Sequence, residues 1–179
     1  MARLFLALDP SEAQREAFQG VRSDAFEARW TPSQQYHLTL RFIGDATPSE
    51  QGALQERLSN ILHPPCRLAG AGLGSFPSLR SPRVLWARVD PAPELITLQA
   101  AADKIATELG FPPARHDFTP HITLARLKDA DPTRVYEFIA AHRSWSFPAH
   151  EAEEIILYDS TLTARGAVHT VVDRYALPG

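Results

Sequence analysis

The chain has 179 residues, 44% of them hydrophobic, enough to enclose a core as one domain or as two small fused lobes. Its net charge of −3 argues against broad, non-specific binding along a nucleic-acid backbone, though not against recognition of one RNA end or a small nucleotide by a local cluster. A lone cysteine, Cys66, excludes an internal disulfide and fits a reducing compartment.

In chain order, the first apolar run (4–8) reads as a strand. Asp9-Pro10 stops it, so it is too short for a signal peptide or a membrane span, and a cytoplasmic protein free of the membrane is expected. Asp9 suits a helix N-cap with Pro10 in the first turn and Glu12 three residues on, which predicts a helix over about 10–25. After a Pro-containing loop comes His37-Leu38-Thr39-Leu40. Alternation of this kind reads as a strand that shows His37 and Thr39 on one face and buries Leu38 and Leu40 on the other. Thr47-Pro48 then caps a helix over about 48–62. Strands follow over about 67–73 and 83–89, with an irregular loop expected between them over 73–82.

The second half repeats these signals. Residues 83–91 again read as a strand ending in Asp-Pro, at Asp90-Pro91. Leu95, Leu98, Ala102, Ile105, Ala106 and Leu109 form one apolar helical stripe that stops at Gly110. His121-Ile122-Thr123-Leu124 stands 84 positions after its first copy. Asp45 and Asp129 lie eight residues past their histidines, and Thr47-Pro48 and Asp131-Pro132 begin at the tenth. A helix over about 132–142 and strands over about 154–158 and 169–176 complete the half. The expectation is an α+β domain spanning 1–179, built from repeat units of roughly 1–80 and 81–179 related by a pseudo-two-fold axis.

One His-x-Thr-x motif is common by chance. Two copies at equivalent places in a repeated frame bring two imidazoles and two hydroxyls to one cleft, the equipment for metal-free acid–base chemistry on a phosphate. Any single strand histidine is ordinarily a satisfied structural residue, but a duplicated, solvent-facing His-Thr couple has no packing rationale. His116-Asp117 lacks the further clustered ligands that a metal site needs. His63, His142, His150 and His169 read as surface residues. Phe42 and Trp30 are candidates for stacking on a base or ribose. Trp86, Trp145 and Phe76 read as core, and Arg41 and Arg115 as a positive cleft rim or as solvated charge.

With these residues identified, the chain resembles the 2H phosphoesterases, specifically the RNA 2',3'-cyclic phosphodiesterase group, also known as 2'-5' RNA ligases. The resemblance runs through Arg3-Leu-Phe-Leu-Ala-Leu8, Trp30-Thr-Pro32, His37-Leu-Thr-Leu-Arg-Phe-Ile-Gly44, Leu73-Gly-Ser-Phe-Pro77, Arg83-Val-Leu-Trp86, Phe118-Thr-Pro-His-Ile-Thr-Leu-Ala-Arg126 and Leu157-Tyr-Asp-Ser160. It implies a bilobal fold of antiparallel sheets with outer helices and a cleft between the lobes. It also implies hydrolysis of a 2',3'-cyclic phosphate to a 2'-phosphomonoester with neither metal nor organic cofactor. The substrates implied are RNA 3' ends or nucleotides bearing that cyclic phosphate, with nucleotide binding in the cleft and a monomeric state expected. By position His37 matches the family's proton donor and His121 its acceptor, while Thr39, Thr123 and Arg126 match its phosphate-binding groups. In a regular strand Arg126 falls on the face opposite Thr123, so it reaches a phosphate only through a bulge, a strand end or its own length. Two alternatives stay open at this point: 2'-5' ligation as the main activity, and a nucleotide- or RNA-end-binding protein without chemistry.

Overall fold

The computed structural model describes residues 1–178, in which both His-x-Thr-x segments open long buried strands. The first half runs β1 (Ala2–Leu8), α1 (Glu12–Gln19), β2 (Ala28–Trp30), a 3-10 turn (Ser33–Gln35), β3 (Leu38–Ala46), α2 (Pro48–Ser59), β4 (Cys66–Ala71) and β5 (Leu73–Pro77). The second runs β6 (Pro82–Arg88), α3 (Pro93–Glu108), β7 (His121–Leu127), α4 (Pro132–Ala141), β8 (Ser146–Ala152), β9 (Glu154–Thr163) and β10 (Gly166–Ala176). The fold is α+β with antiparallel pairing throughout.

Seven strands form one path, β10-β9-β1-β3-β7-β6-β5, with β2 added alongside β7, and β4 pairs with β8 in a second, two-stranded sheet. The halves are interlocked. The β9–β10 hairpin of the second half completes the sheet that holds the first His strand, and β5 of the first half completes the sheet around the second. Leu38, Leu40, Ile122 and Leu124 are buried in the main core, as their alternation requires. Each such side chain removed from water contributes ~1.5–3 kcal/mol, which fixes which face of the sheet looks inward.

Local chemistry explains where the elements differ from expectation. Helix α1 is capped by Ser11, not Asp9. The Ser11 hydroxyl accepts from the Gln14 N–H, and the Gln14 side chain accepts from the Ser11 N–H, a reciprocal capping box. Asp9 is engaged elsewhere, accepting from the Tyr158 hydroxyl at 2.8 Å. The helix ends at Gln19, short of residue 25. Helix α3 begins at Pro93 without a side-chain cap, because the Asp90 N–H donates to the Ala69 carbonyl and holds that residue at the strand corner. Thr47 and Asp131 do cap α2 and α4, each with Pro in the first turn.

Residues 73–77, expected as loop, are strand β5, whose Gly74 and Phe76 pair with Trp86 and Val84. Strand β8 has no clean alternation, since only Phe147 and Ala152 are buried in it, and it exists because β4 offers a free edge. Gly70 lets these layers meet. A Cβ built there would lie 2.0 Å from the Arg88 carbonyl oxygen, and Arg88 is the β6 partner of His121. Gly70→Ala is therefore expected to cost about 1–3 kcal/mol, read as a lower denaturant midpoint at unchanged m-value.

Candidate active site

Each histidine is aimed by the residue two positions before it. His37 Nδ1 donates to the Gln35 carbonyl at 2.8 Å, and His121 Nδ1 donates to the Thr119 carbonyl at 2.6 Å. A carbonyl only accepts, so the proton sits on Nδ1 and Nε2 is left free in both rings. The 3-10 turn that supplies Gln35 is held in place by Arg15, whose guanidinium donates to the Ser33 carbonyl and pairs with Asp9 at 3.5 Å.

Strands β3 and β7 pair at a single position, Leu38 with Ile122. Antiparallel register from that point sets His37 opposite Thr123 and Thr39 opposite His121, all four on the face away from the core. For regular pairing the two histidines then sit diagonally, with Cβ atoms roughly 7–8 Å apart. Beyond this point the strands part. The free edge of β7 is taken by β2, through Trp30 against Ala125 and a Thr31 N–H donated to the Leu124 carbonyl at 2.8 Å. The result is one face that carries two imidazoles and two hydroxyls.

A matched pair of β-bulges adds to this face. Opposite β1, the register shifts between Thr39 and Arg41, and opposite β6 it shifts between Thr123 and Ala125. Each bulge inserts one residue and reverses the alternation beyond it. The burial pattern is consequently the same in both copies: half-buried at His and Thr, two consecutive buried residues, then an exposed one. That exposed residue is Phe42 in the first strand and Arg126 in the second. Both lie on the cleft face, which an unbulged strand would have denied to them.

The same shift buries the neighbours. Arg41 is not on the cleft rim: it is only 5% exposed, lies on the core side, pairs with Asp103 at 2.6 Å and donates to the Pro112 carbonyl. It thereby ties β3 to the segment leading into His121. Trp30 is half-buried and packed on the core. Phe42, at 67% exposure, is available for stacking.

Aromatic rings wall both ends of the site. His37 lies 4.9 Å from Phe5, which stacks on Tyr158 at 5.1 Å. His121 meets Phe76 edge-on at 4.9 Å and Trp86 at 5.8 Å. Trp86 can lie there because its strand partner is Gly74, where a Cβ would fall 2.3 Å from the indole. Trp86 is buried beside the site, whereas Phe76, expected in the core, is only half-buried and lines the site instead. His169 is also no bystander on the surface: its ring is 5.1 Å from that of His37. Nothing in its local sequence signals this, since it depends on β10 folding back beside β9.

These walls set the protonation of the pair. Burial pushes the pKa of His37 down to about 4, against the Gln35 hydrogen bond, and positive charge on His169, His121 or Arg15 lowers it further. Burial also lowers that of His121, against the Thr119 hydrogen bond. Both rings are neutral at neutral pH.

Comparisons with known proteins agree with this fold. A family model described as the 2'-5' RNA ligase superfamily matches residues 9–162. The chain is 30% identical to an RNA 2',3'-cyclic phosphodiesterase of Aquifex aeolicus, covering all of this chain and 99% of that one. Among solved structures it is similar to TT0787 of Thermus thermophilus (30% identical, TM-score 0.81, 99% and 98% of the two chains). It is also similar to Escherichia coli LigT complexed with 3'-AMP (26% identical, TM-score 0.80, 99% of each chain).

Removing the indole wall tests the dryness of the second half of the site. In Trp86→Ala, water reaches His121 and its pKa climbs back toward 6.5, measurable by NMR titration of the ring protons, while that of His37 stays low.

Proposed function

The chain belongs to the 2'-5' RNA ligase superfamily, and from that premise we propose that it is an RNA 2',3'-cyclic phosphodiesterase working by two-histidine acid–base catalysis without a metal. The observation that carries this reading is the Leu38–Ile122 pairing, which supports a shared anion between the two His-Thr couples.

A 2',3'-cyclic phosphate is a strained five-membered diester with one negative charge. Water attacks on one side of phosphorus as a ribose oxygen leaves on the other. His121 Nε2, neutral, takes the proton of the water. His37 Nε2, protonated, gives one to the departing 3'-oxygen, leaving a 2'-phosphomonoester. Thr39 and Thr123 donate their hydroxyls to the non-bridging oxygens, and Arg126 adds a charged donor as charge builds there. Phe42 offers a face to the base or ribose.

The low pKa of His37 fits this role once the substrate is counted. In the empty cleft the ring is neutral above about pH 4. The arriving phosphate supplies the counter-charge that cationic neighbours withhold, so the pKa of His37 rises on binding and the proton needed for departure is taken up with the substrate.

His37→Ala and His121→Ala should each lower turnover of a nucleoside 2',3'-cyclic phosphate roughly 100- to 10,000-fold. The wild-type rate should be unchanged in EDTA, with a 2'-monophosphate as product. Undiminished activity in either variant sinks these roles, and a 3'-monophosphate product overturns the leaving-group assignment.

The pH dependence has a definite sign. For kcat/KM, which reports the free enzyme, the donor loses its proton above about pH 4 and the acceptor must be neutral, so the bell-shaped profile peaks on the acid side of 6.5. For kcat, which reports the complex, the falling limb moves to higher pH. NMR titration of His37 with and without inorganic phosphate checks the cause: the pKa rises from about 4 when phosphate is present.

A further inference from the structure

Beyond His37, the cleft wall holds a third imidazole that the proposed reaction does not use. His169 stands on β10 opposite Ser160 of β9, on the same face as the Phe5–Tyr158 stack. Its ring is 5.1 Å from His37 and 4.8 Å from Phe5. Its Nδ1 is buried without a hydrogen-bond partner among the described residues. A buried polar atom left unpaired is costly, so packing alone does not account for an imidazole at this place. The charge of Arg126, reaching across from β7, falls on the same ring. Ser160 is half-buried directly beside it. The wall continues with the exposed apolar side chains of Phe42 and Val171, the cross-strand neighbours of Phe5 and Tyr158.

The roles assigned to the two catalytic histidines orient the substrate along this wall. His37 serves the departing 3'-oxygen, so the ribose lies on the His37 side of the phosphate, over β3, β1, β9 and β10. In an RNA, the 5'-carbon of that terminal ribose carries the phosphodiester to the preceding nucleotide. A nucleoside 2',3'-cyclic phosphate has only a hydroxyl there.

We propose that His169, with Ser160 and Arg126, forms a second anion subsite that receives the phosphate on the 5' side of the terminal ribose, so that an RNA 3' end is preferred over a free nucleoside cyclic phosphate. This rests on the phosphodiesterase reading above and names the substrate class of the same cleft. His169, half-buried as a residue, donates a ring N–H to a non-bridging oxygen, Ser160 donates its hydroxyl, and the guanidinium of Arg126 supplies charge between the two phosphates.

The test compares three substrates: a nucleoside 2',3'-cyclic phosphate, the same molecule with a 5'-phosphate, and a dinucleotide ending in the cyclic phosphate. Wild-type enzyme should show a lower KM for the last two. His169→Leu, which keeps bulk without a donor, should raise KM for those two roughly tenfold or more, the worth of a hydrogen bond to a charged group. It should leave the nucleoside substrate unchanged, and His169→Asn, which restores a donor near Nδ1, should recover most of the loss. A gain for the 5'-monophosphate but not the dinucleotide would make the subsite one for free nucleotides and overturn the RNA preference. An equal loss on all three substrates would mean that His169 acts through His37, and no loss would mean that it binds nothing; either result overturns the subsite. If wild-type protein turns over none of them, the phosphodiesterase reading fails instead. The subsite is then judged by calorimetry, where a nucleoside 2',5'-bisphosphate should bind wild type tighter than the 2'-monophosphate, with the difference lost in His169→Leu. Equal affinity of the two nucleotides would overturn it.

Discussion

The pairing of Leu38 with Ile122 holds the cleft together. It is the one position at which the two His strands are in register, and both side chains lie on the core side, fully out of water. A strand cannot slip by one residue without exchanging its faces, so burying these two commits His37, Thr39, His121 and Thr123 to the opposite side. The cleft opens because the contact stops there. Strand β2 satisfies the backbone of β7 from Leu124 onward, and Arg41 draws the segment at Pro112 toward β3. Hydrophobic burial thus sets the direction of the face that carries both His-Thr couples, and competition for backbone hydrogen bonds sets where the two strands part.

The paired bulges complete the site at positions that strict alternation would have wasted. One inserted residue after each threonine puts Phe42 and Arg126 on the cleft face and pushes Arg41 and Ala125 into the interior. Ala125 is buried at no polar cost. Arg41 is a buried charge and persists because Asp103 and two backbone carbonyls receive its guanidinium. The duplication is symmetric in backbone and asymmetric in chemistry: one copy presents a ring, the other a cation.

Aromatic walls of Phe5 and Tyr158 on one side and Phe76 and Trp86 on the other dry the imidazoles and hold both neutral. The hydroxyls of Thr39 and Thr123 belong to the same face. A site of this kind gains most from a ligand that brings negative charge, and the same ligand restores the proton on which departure of an oxygen depends.

Much of this was legible in the chain itself. Period-two alternation marked both His strands and their inward apolar residues, and Thr47-Pro48 and Asp131-Pro132 capped helices where such pairs should. These are short-range signals, set by side-chain volume and backbone geometry within a few residues. What the chain did not disclose is long-range. The bulges that admit Arg126 depend on how β1 and β6 pair with the His strands. Strands β5 and β8 exist because partners offer free edges, and Asp9 gave up its capping role to Tyr158, 149 residues away. His169 reaches His37 only because β10 returns beside β9. Alternation specifies which way a side chain points along one strand, whereas neighbours across a sheet are chosen by the packing of the whole chain, and the tertiary structure alone decides that.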